Sequence, residues 1–288
     1  MKETIRICFC DFWPEIKQED IFTPILSKYF NVIVDNNKPD VVFHSIFNGM
    51  KDISKYPKAK KILFIGENRR PDFTKTNFAI SFDKGSDINY RLPLWQYFIL
   101  LRPEYKEVLF KEKTEVPEYD RFCSFTVSNP GNFMRNGLYT TLNQYKRVHS
   151  YGRYLNNCMD LIKISDKQYW RDAKDIFFSN VLHKFCIAYE NNSYPYYCTE
   201  KIMDAFLGSS IPIYWGDPKI MEDFNEKAFI NANKTSTQEI INQIKLLDQK
   251  PDLFEHVYKQ PIFTEEQQLK LLDNLDEFEH WLVGKINS

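Results

Sequence analysis

Residues 184–218, KFCIAYENNSYPYYCTEKIMDAFLGSSIPIYWGDP, decide the fold, because they read as strand, loop, helix and strand in one run. In Lys184–Glu190, Phe185, Ile187 and Tyr189 alternate against Lys184, Ala188 and Glu190, which suits a strand. The following NNSYPYY is rich in turn formers, and Pro195 forbids continuing the strand. Thr199 is placed to cap a helix whose buried face is Ile202, Met203, Ala205 and Phe206. Gly208 ends that helix, Ile211–Trp215 makes the next strand, and Gly216-Asp217-Pro218 stops it. A strand, a crossover helix and a second strand predict a parallel sheet.

Two polar residues are unusual for a purely structural unit. Glu200 and Lys201 fall in the first turn of the predicted helix, where orphan backbone N–H groups favour an anion. A glutamate there stabilises the helix start by itself. A lysine opposes the dipole, at a cost of about 0.3–1 kcal/mol, unless a negative ligand compensates. On these residues alone a structural role and an anion site are both open.

Outward from this stretch, alternating elements continue in both directions. On the N-terminal side, strands are expected at Ile5–Cys10, Phe30–Val34, Pro39–Phe47, Lys61–Ile65 and Phe78–Phe82, with a helix around Pro24–Tyr29. Tyr90–Leu101 reads as a linker leading into a helix. The charged, proline-bearing KEKTEVPEY at 111–119 is the expected domain boundary. Beyond it come a strand at Phe122–Ser128, a helix at Met134–Tyr145, a strand at Arg147–Tyr151 and a helix at Lys167–Phe177. A strand at Ala228–Ile230 and a helix at Thr237–Leu247 follow the central stretch. Thr264 and Gln267 form a candidate capping box, and Leu272, Leu275, Phe278 (or Glu279) and Leu282 mark one amphipathic helix that packs back on the protein. The reading is thus residues 1–118, residues 119–262 and a terminal helix at 263–288.

Composition excludes several function classes. A chain of 288 residues with 24 Phe and 17 Tyr can build two packed α/β domains. A net charge of −1 gives no reason to expect a nucleic-acid partner. No apolar run approaches the ~20 residues of a membrane span. The opening MKETIRICFCDFWP lacks the features of a secretory signal, and the six cysteines form no C-x-x-C, so reduced thiols in a cytoplasmic protein are expected. The sequons at Asn191 and Asn233 are then expected to stay unmodified. Residues 264–288 hold two lysines against six acidic residues, which limits membrane contact to a peripheral one at the inner face.

The motif Y-E-N-N-S, then Y-C-T-E-K, then I-P-I-Y-W-G resembles the donor-binding signature of the α-1,3/4-fucosyltransferases, glycosyltransferase family ten. The family pattern is roughly F-E-N-S, a short spacer and Y-x-T-E-K. Tyr189 replaces the Phe, and Asn192 is additional before Ser193, while the spacing from Asn191 to Lys201 is kept. KILFIGENRRPDF at 61–73, FAISFD at 78–83, RLPL at 91–94, Val127–Pro130, Arg135-Asn136 and SYGRYLN at 150–156 are similar to further family blocks. The similarity runs from about Lys61 to Phe229. Residues 158–177 are longer than in some bacterial relatives, and the first fifty residues match only in layout.

What the resemblance implies is a GT-B-like α/β fold, two Rossmann-type domains with parallel sheets facing a cleft. It also implies inverting transfer of L-fucose from GDP-β-L-fucose to a hydroxyl of a glycan containing N-acetylglucosamine or glucose. Such a glycan would be an oligosaccharide or a lipopolysaccharide-type acceptor in a bacterium. Glu67 becomes the general base; on its own it reads as an exposed loop glutamate. Arg135 and Lys201 map onto contacts to the diphosphate, Glu200 onto the ribose hydroxyls, and Asn191 and Tyr197 onto the phosphates or the fucose. Tyr151 and Gly152 are the candidates for the guanine pocket. No metal or other cofactor is expected, because the chain has no D-x-D motif to hold a divalent ion. The alternatives are a related transferase using another nucleotide sugar, and a catalytically silent glycan-binding module.

Overall fold

A computed structural model describes residues 2–13, 19–167 and 169–288. In chain order the first elements are β1 (Thr4–Cys10), α1 (Glu19–Ser27), β2 (Asn31–Val34), β3 (Val41–His44), β4 (Lys60–Phe64), β5 (Phe78–Ser81), β6 (Asn89–Arg91) and α2 (Leu94–Leu101). Next come α3 (Tyr105–Leu109), β7 (Arg121–Phe125), α4 (Phe133–Tyr145), β8 (Val148–Ser150), α5 (Asp160–Ser165) and α6 (Trp170–Asn180). The central stretch forms β9 (His183–Tyr189), α7 (Lys201–Leu207) and β10 (Ile211–Trp215). The chain ends with β11 (Ile230–Asn231), α8 (Thr237–Gln249), α9 (Pro251–Tyr258) and α10 (Glu265–Asn287).

The chain divides into two compact units, residues 1–102 with 270–288, and residues 103–269. The division falls before α3, whereas the sequence pointed to the charged segment at 111–119. Charge and proline mark exposed chain, but Tyr105 and Leu109 of α3 are buried and anchor it in the second unit. Lys270–Ser288, the greater part of α10, belongs to the first unit.

In the first unit six parallel strands run in the order β2-β1-β3-β4-β5-β6. β3 is buried along its whole length, as expected of an inner strand of a parallel sheet covered on both faces. β6 occupies part of the segment expected to be a linker: three residues of pairing to β5 are too short to leave a period-two signal. Thr264 and Gln267 make the expected capping box, with Thr264 N to Gln267 Oε1 at 2.9 Å and Gln267 N to Thr264 Oγ1 at 3.2 Å. α10 buries Leu271 rather than Leu272, together with Leu275, Phe278 and Leu282. Lys60 Nζ donates to the carbonyls of Lys285 and Ile286 at 2.9 and 2.8 Å, satisfying orphan acceptors at the helix end.

In the second unit five parallel strands run in the order β11-β10-β9-β7-β8. β9 lies in the middle, paired with β10 on one side and β7 on the other. Phe185, Ile187, Ile211 and Ile213 join Leu138, Leu142, Ile240 and Ile244 in one core. The helix expected at Lys167–Phe177 is α6, three residues later at its start; Gln168 lies outside the described residues. α5 and α9 were not expected: six and eight residues are too few for a clear apolar period. Among the described residues, no helix is long and apolar enough to cross a membrane.

Candidate active site

Both sheets are doubly wound, and in each the strand order reverses between the first and third strands of the unit. Open parallel sheets bind ligands outside the carboxyl ends of strands at such a reversal. In the second unit the reversal lies between β7 and β9. The segment after β7 supplies Asn129, and the segment after β9 supplies Glu190 and Asn191.

Arg135 enters from the first turn of α4. Asn132 caps that helix, accepting from Arg135 N at 3.0 Å, and its Nδ2 donates to the Glu190 carbonyl at 2.8 Å. The guanidinium is fully buried. It donates to Asn191 Oδ1 at 2.9 Å, to the Tyr189 carbonyl at 3.3 Å and to the Asn129 carbonyl, while Nε is buried without a hydrogen-bond partner. Burial lowers its pKa, opposed by the negative charge of Glu190.

Lys201 opens α7, with Glu200 as the residue preceding it. Thr199 does not cap this helix. Its hydroxyl donates instead to Glu190 Oε2 at 2.7 Å, and its N–H to Glu190 Oε1 at 2.7 Å, because a fully buried carboxylate has a stronger claim on both donors. Lys201 Nζ lies 3.0 Å from Glu190 Oε2 and donates to Thr199 Oγ1 at 2.7 Å. Burial would lower the lysine's pKa, but Glu190 and Glu200 raise it strongly. Burial also works against ionisation of Glu200, yet Lys201, Lys174 and Arg171 hold its carboxyl down to about 2.

Tyr197 is buried and stacked on Tyr194, with ring centroids 4.8 Å apart, and its hydroxyl is close enough to bear on the charges of both Arg135 and Lys201. The loop carrying it is pinned by Ser193 Oγ to the Gly216 carbonyl at 2.5 Å and by Tyr196 N to Asp217 Oδ1 at 2.7 Å. The second unit thus gathers Arg135, Asn191, Tyr197, Glu200 and Lys201 around the carboxyl end of β9.

A cavity of about 50 Å³ lies beside them, lined by Glu200, Lys201, Lys174, Asp204, Val127 and Phe178 among others. Tyr151 and Gly152 do not line it. Tyr151 is sealed in an aromatic cluster with Phe177 and Phe178. Its hydroxyl accepts from Arg121 Nη1 at 2.5 Å and donates to His183 Nε2 at 2.7 Å. Gly152 lies against the backbone of Val127, where an added Cβ would meet the carbonyl oxygen at 2.0 Å. Both residues shape the wall behind Phe178 and Val127.

Sequence reading overlooked Glu190, Lys174, Arg171 and Asp204. Arg171 is buried and pairs with Asp204 at 2.5 Å, and Lys174 meets the same carboxylate from the next turn of α6. The i, i+3 spacing of Arg171 and Lys174 was legible, but nothing in it named Asp204 as the partner. Glu190 stood within the quoted motif, where its strand position gave no hint of a buried carboxylate.

In the first unit Glu67 follows β4, an interior strand, and is exposed. Gly66 before it sits under Trp13, with an added Cβ 3.1 Å from the ring, so a larger residue would push on the indole. Arg69 N bonds back to the Glu67 carbonyl at 2.6 Å, and Arg70 pairs with Asp83 at 3.2 Å.

The histidines behind the cavity wall carry a pH dependence. Burial, with Arg121 and His149 nearby, lowers His183 to about 3, and burial with Arg121 and Arg147 lowers His149 to about 4. The unfolded chain, with histidine near 6.5, therefore takes up protons first as pH falls. Stability is complete above about pH 6.5 and is lost as pH falls toward 4, at up to about 1.4 kcal/mol per pH unit per histidine. Urea midpoints at pH 7.5 and 4.5 measure this, and equal midpoints would refute it.

Two doubly wound parallel units, one with the cations Arg135 and Lys201 at its sheet reversal, define a GT-B-like α/β protein. The chain belongs to glycosyltransferase family 10. Residues 7–98 match the alpha-(1,3)-fucosyltransferase FucT N-terminal domain, and residues 116–269 match the C-terminal part of glycosyltransferase family 10 (fucosyltransferase). The Helicobacter pylori alpha-(1,3)-fucosyltransferase FucT is 28% identical over 315 residues, covering 94% of this chain and 63% of that protein. Human GDP-fucose protein O-fucosyltransferase 3 is 28% identical over 155 residues, 53% of this chain and 32% of that protein. The chain therefore spans less than two thirds of the length of either relative. A crystal structure of an alpha1,3-fucosyltransferase with GDP-fucose superposes with a TM-score of 0.72 at 27% identity, covering 98% of this chain and 91% of that one.

Proposed function

We propose that the chain is an inverting α-1,3-fucosyltransferase that moves L-fucose from GDP-β-L-fucose to a hydroxyl of an N-acetylglucosamine- or glucose-containing glycan. The observation that carries the reading is the set Arg135, Asn191 and Lys201, a buried guanidinium bonded to its amide partner and a half-buried ammonium held by Glu190, in a chain of family 10. Inversion in one displacement requires a base for the acceptor hydroxyl and stabilisation of the departing diphosphate. Glu67 takes that proton. Arg135 and Lys201 take up the charge of the diphosphate, Arg135 through a planar fork and Lys201 as a point charge. Glu200, held ionised, accepts from the ribose hydroxyls. Tyr197 and Asn191 complete the contacts to the phosphates or the fucose, and Tyr151 and Gly152 hold the wall of the nucleotide pocket. Two cations do the work of a divalent ion, so no metal is required. The acceptor is an oligosaccharide or lipopolysaccharide-type glycan, met in the cytoplasm.

The test is GDP release from GDP-fucose in EDTA, with and without N-acetyllactosamine. Acceptor-dependent release in EDTA is expected. Release that requires added Mg²⁺ or Mn²⁺ would refute metal independence. Release with a peptide acceptor but no glycan would move the substrate class toward that of the human relative. Absence of GDP-fucose binding would overturn the donor reading.

A further inference from the structure

Glu190 has no part in the mechanism above, yet it is a charge in the donor region as fully enclosed as Arg135. Its carboxylate is completely buried and receives three donors: Thr199 N–H, Thr199 O–H and the Lys201 ammonium. Its backbone is equally engaged. The Glu190 N–H donates to the Trp215 carbonyl at 2.8 Å, and its carbonyl holds Asn132, the cap of the helix that carries Arg135. Gly216 makes room for it, since an added Cβ there would fall 2.4 Å from Glu190 Cγ.

An ammonium group has three donors. Lys201 commits one to Glu190 and one to Thr199. Its side chain remains 22% accessible and lines the cavity, so the remaining donor points away from the two fixed partners. A flexible four-carbon stem is thereby held in one geometry before any ligand arrives, the condition under which a cation acts without reorganisation.

We propose that Glu190 is a positioning residue that aims the Lys201 ammonium at the diphosphate. This inference rests on the donor-site reading given above. It has a sign that distinguishes it from simple charge balance. A buried carboxylate behind two cations opposes anion binding electrostatically, so its removal should tighten GDP binding if charge were its only effect. If it positions Lys201, removal weakens GDP binding despite the lost negative charge.

The experiment is calorimetric titration of GDP into the wild-type chain, Glu190→Gln, Lys201→Ala and the double variant, with thermal melts of each. Glu190→Gln is expected to weaken GDP about tenfold in the Lys201 background and less than twofold in the Lys201→Ala background. Tighter binding by Glu190→Gln, or the same tenfold loss in both backgrounds, overturns the proposal. If Glu190→Gln does not fold, Thr199→Val removes the bridging hydroxyl while leaving the ion pair. It is expected to weaken GDP about threefold, only where Lys201 is present, and an unchanged affinity overturns the proposal. A wild-type chain that does not bind GDP overturns the donor-site reading itself, and this inference with it.

Discussion

Glu67→Gln is expected to lower fucosyl transfer by about 10²–10⁴-fold while leaving GDP affinity unchanged, the loss typical of removing a general base. Glutamine keeps the size and the hydrogen-bonding carbonyl but cannot accept the acceptor proton. Glu67 is exposed, so stability should change by no more than about 0.5 kcal/mol, and the effect can be read as chemistry rather than unfolding. Initial rates with saturating GDP-fucose, alongside GDP titrations, provide the measurement. Unimpaired transfer would dismiss Glu67 as the base. The next carboxylate to test would be Asp83, whose pKa burial raises against the opposing charge of Arg70.

Lys201→Ala has two large consequences, and they separate binding from stability. It removes the cation proposed to meet the diphosphate, and it leaves Glu190 buried without its counter-charge. Truncating one partner of a buried, hydrogen-bonded charge pair costs about 2–5 kcal/mol in affinity at comparable sites. The stranded carboxylate costs about 3–5 kcal/mol in stability. Burial already raises the Glu190 pKa, and loss of Lys201 removes the principal influence holding it down. The sign follows from linkage. An acid whose folded pKa lies above its unfolded value is least costly when protonated, so the Lys201→Ala penalty is smallest at low pH. It grows as pH rises from the unfolded value near 4.3 through the raised folded value. Denaturant midpoints of wild type and Lys201→Ala across pH 4–8 should diverge with rising pH. Adding Glu190→Gln should recover much of the stability without recovering GDP affinity. Equal midpoints at every pH would show that the ion pair contributes nothing.

Much of this fold is legible in the amino-acid sequence. The βαβ reading of 184–218 is β9, α7 and β10, with Ile202, Met203, Ala205 and Phe206 buried on α7 as the spacing required. Such long periodic segments are readable because a buried stripe repeats along the chain. β6 and α5 were not, being too short to repeat anything. Thr199 was misread for a different reason. Its residue type suits a cap, but a hydroxyl serves the most demanding acceptor within reach, and Glu190 became that acceptor only on folding.

The sequence by itself determined the family, the doubly wound class of both units and the identity of the polar residues after β9. Those properties are written in residue type and spacing along the chain. The tertiary structure alone decided which of those residues share an environment. It brought Arg135 to Asn191 across 56 positions, closed Glu190 behind Lys201, and enclosed Tyr151 and Gly152 within the wall of the cavity. The physical reason is that burial and charge pairing depend on what arrives from distant segments. A carboxylate in a motif has the same letters whether it faces water or, like Glu190, is closed off completely behind a lysine.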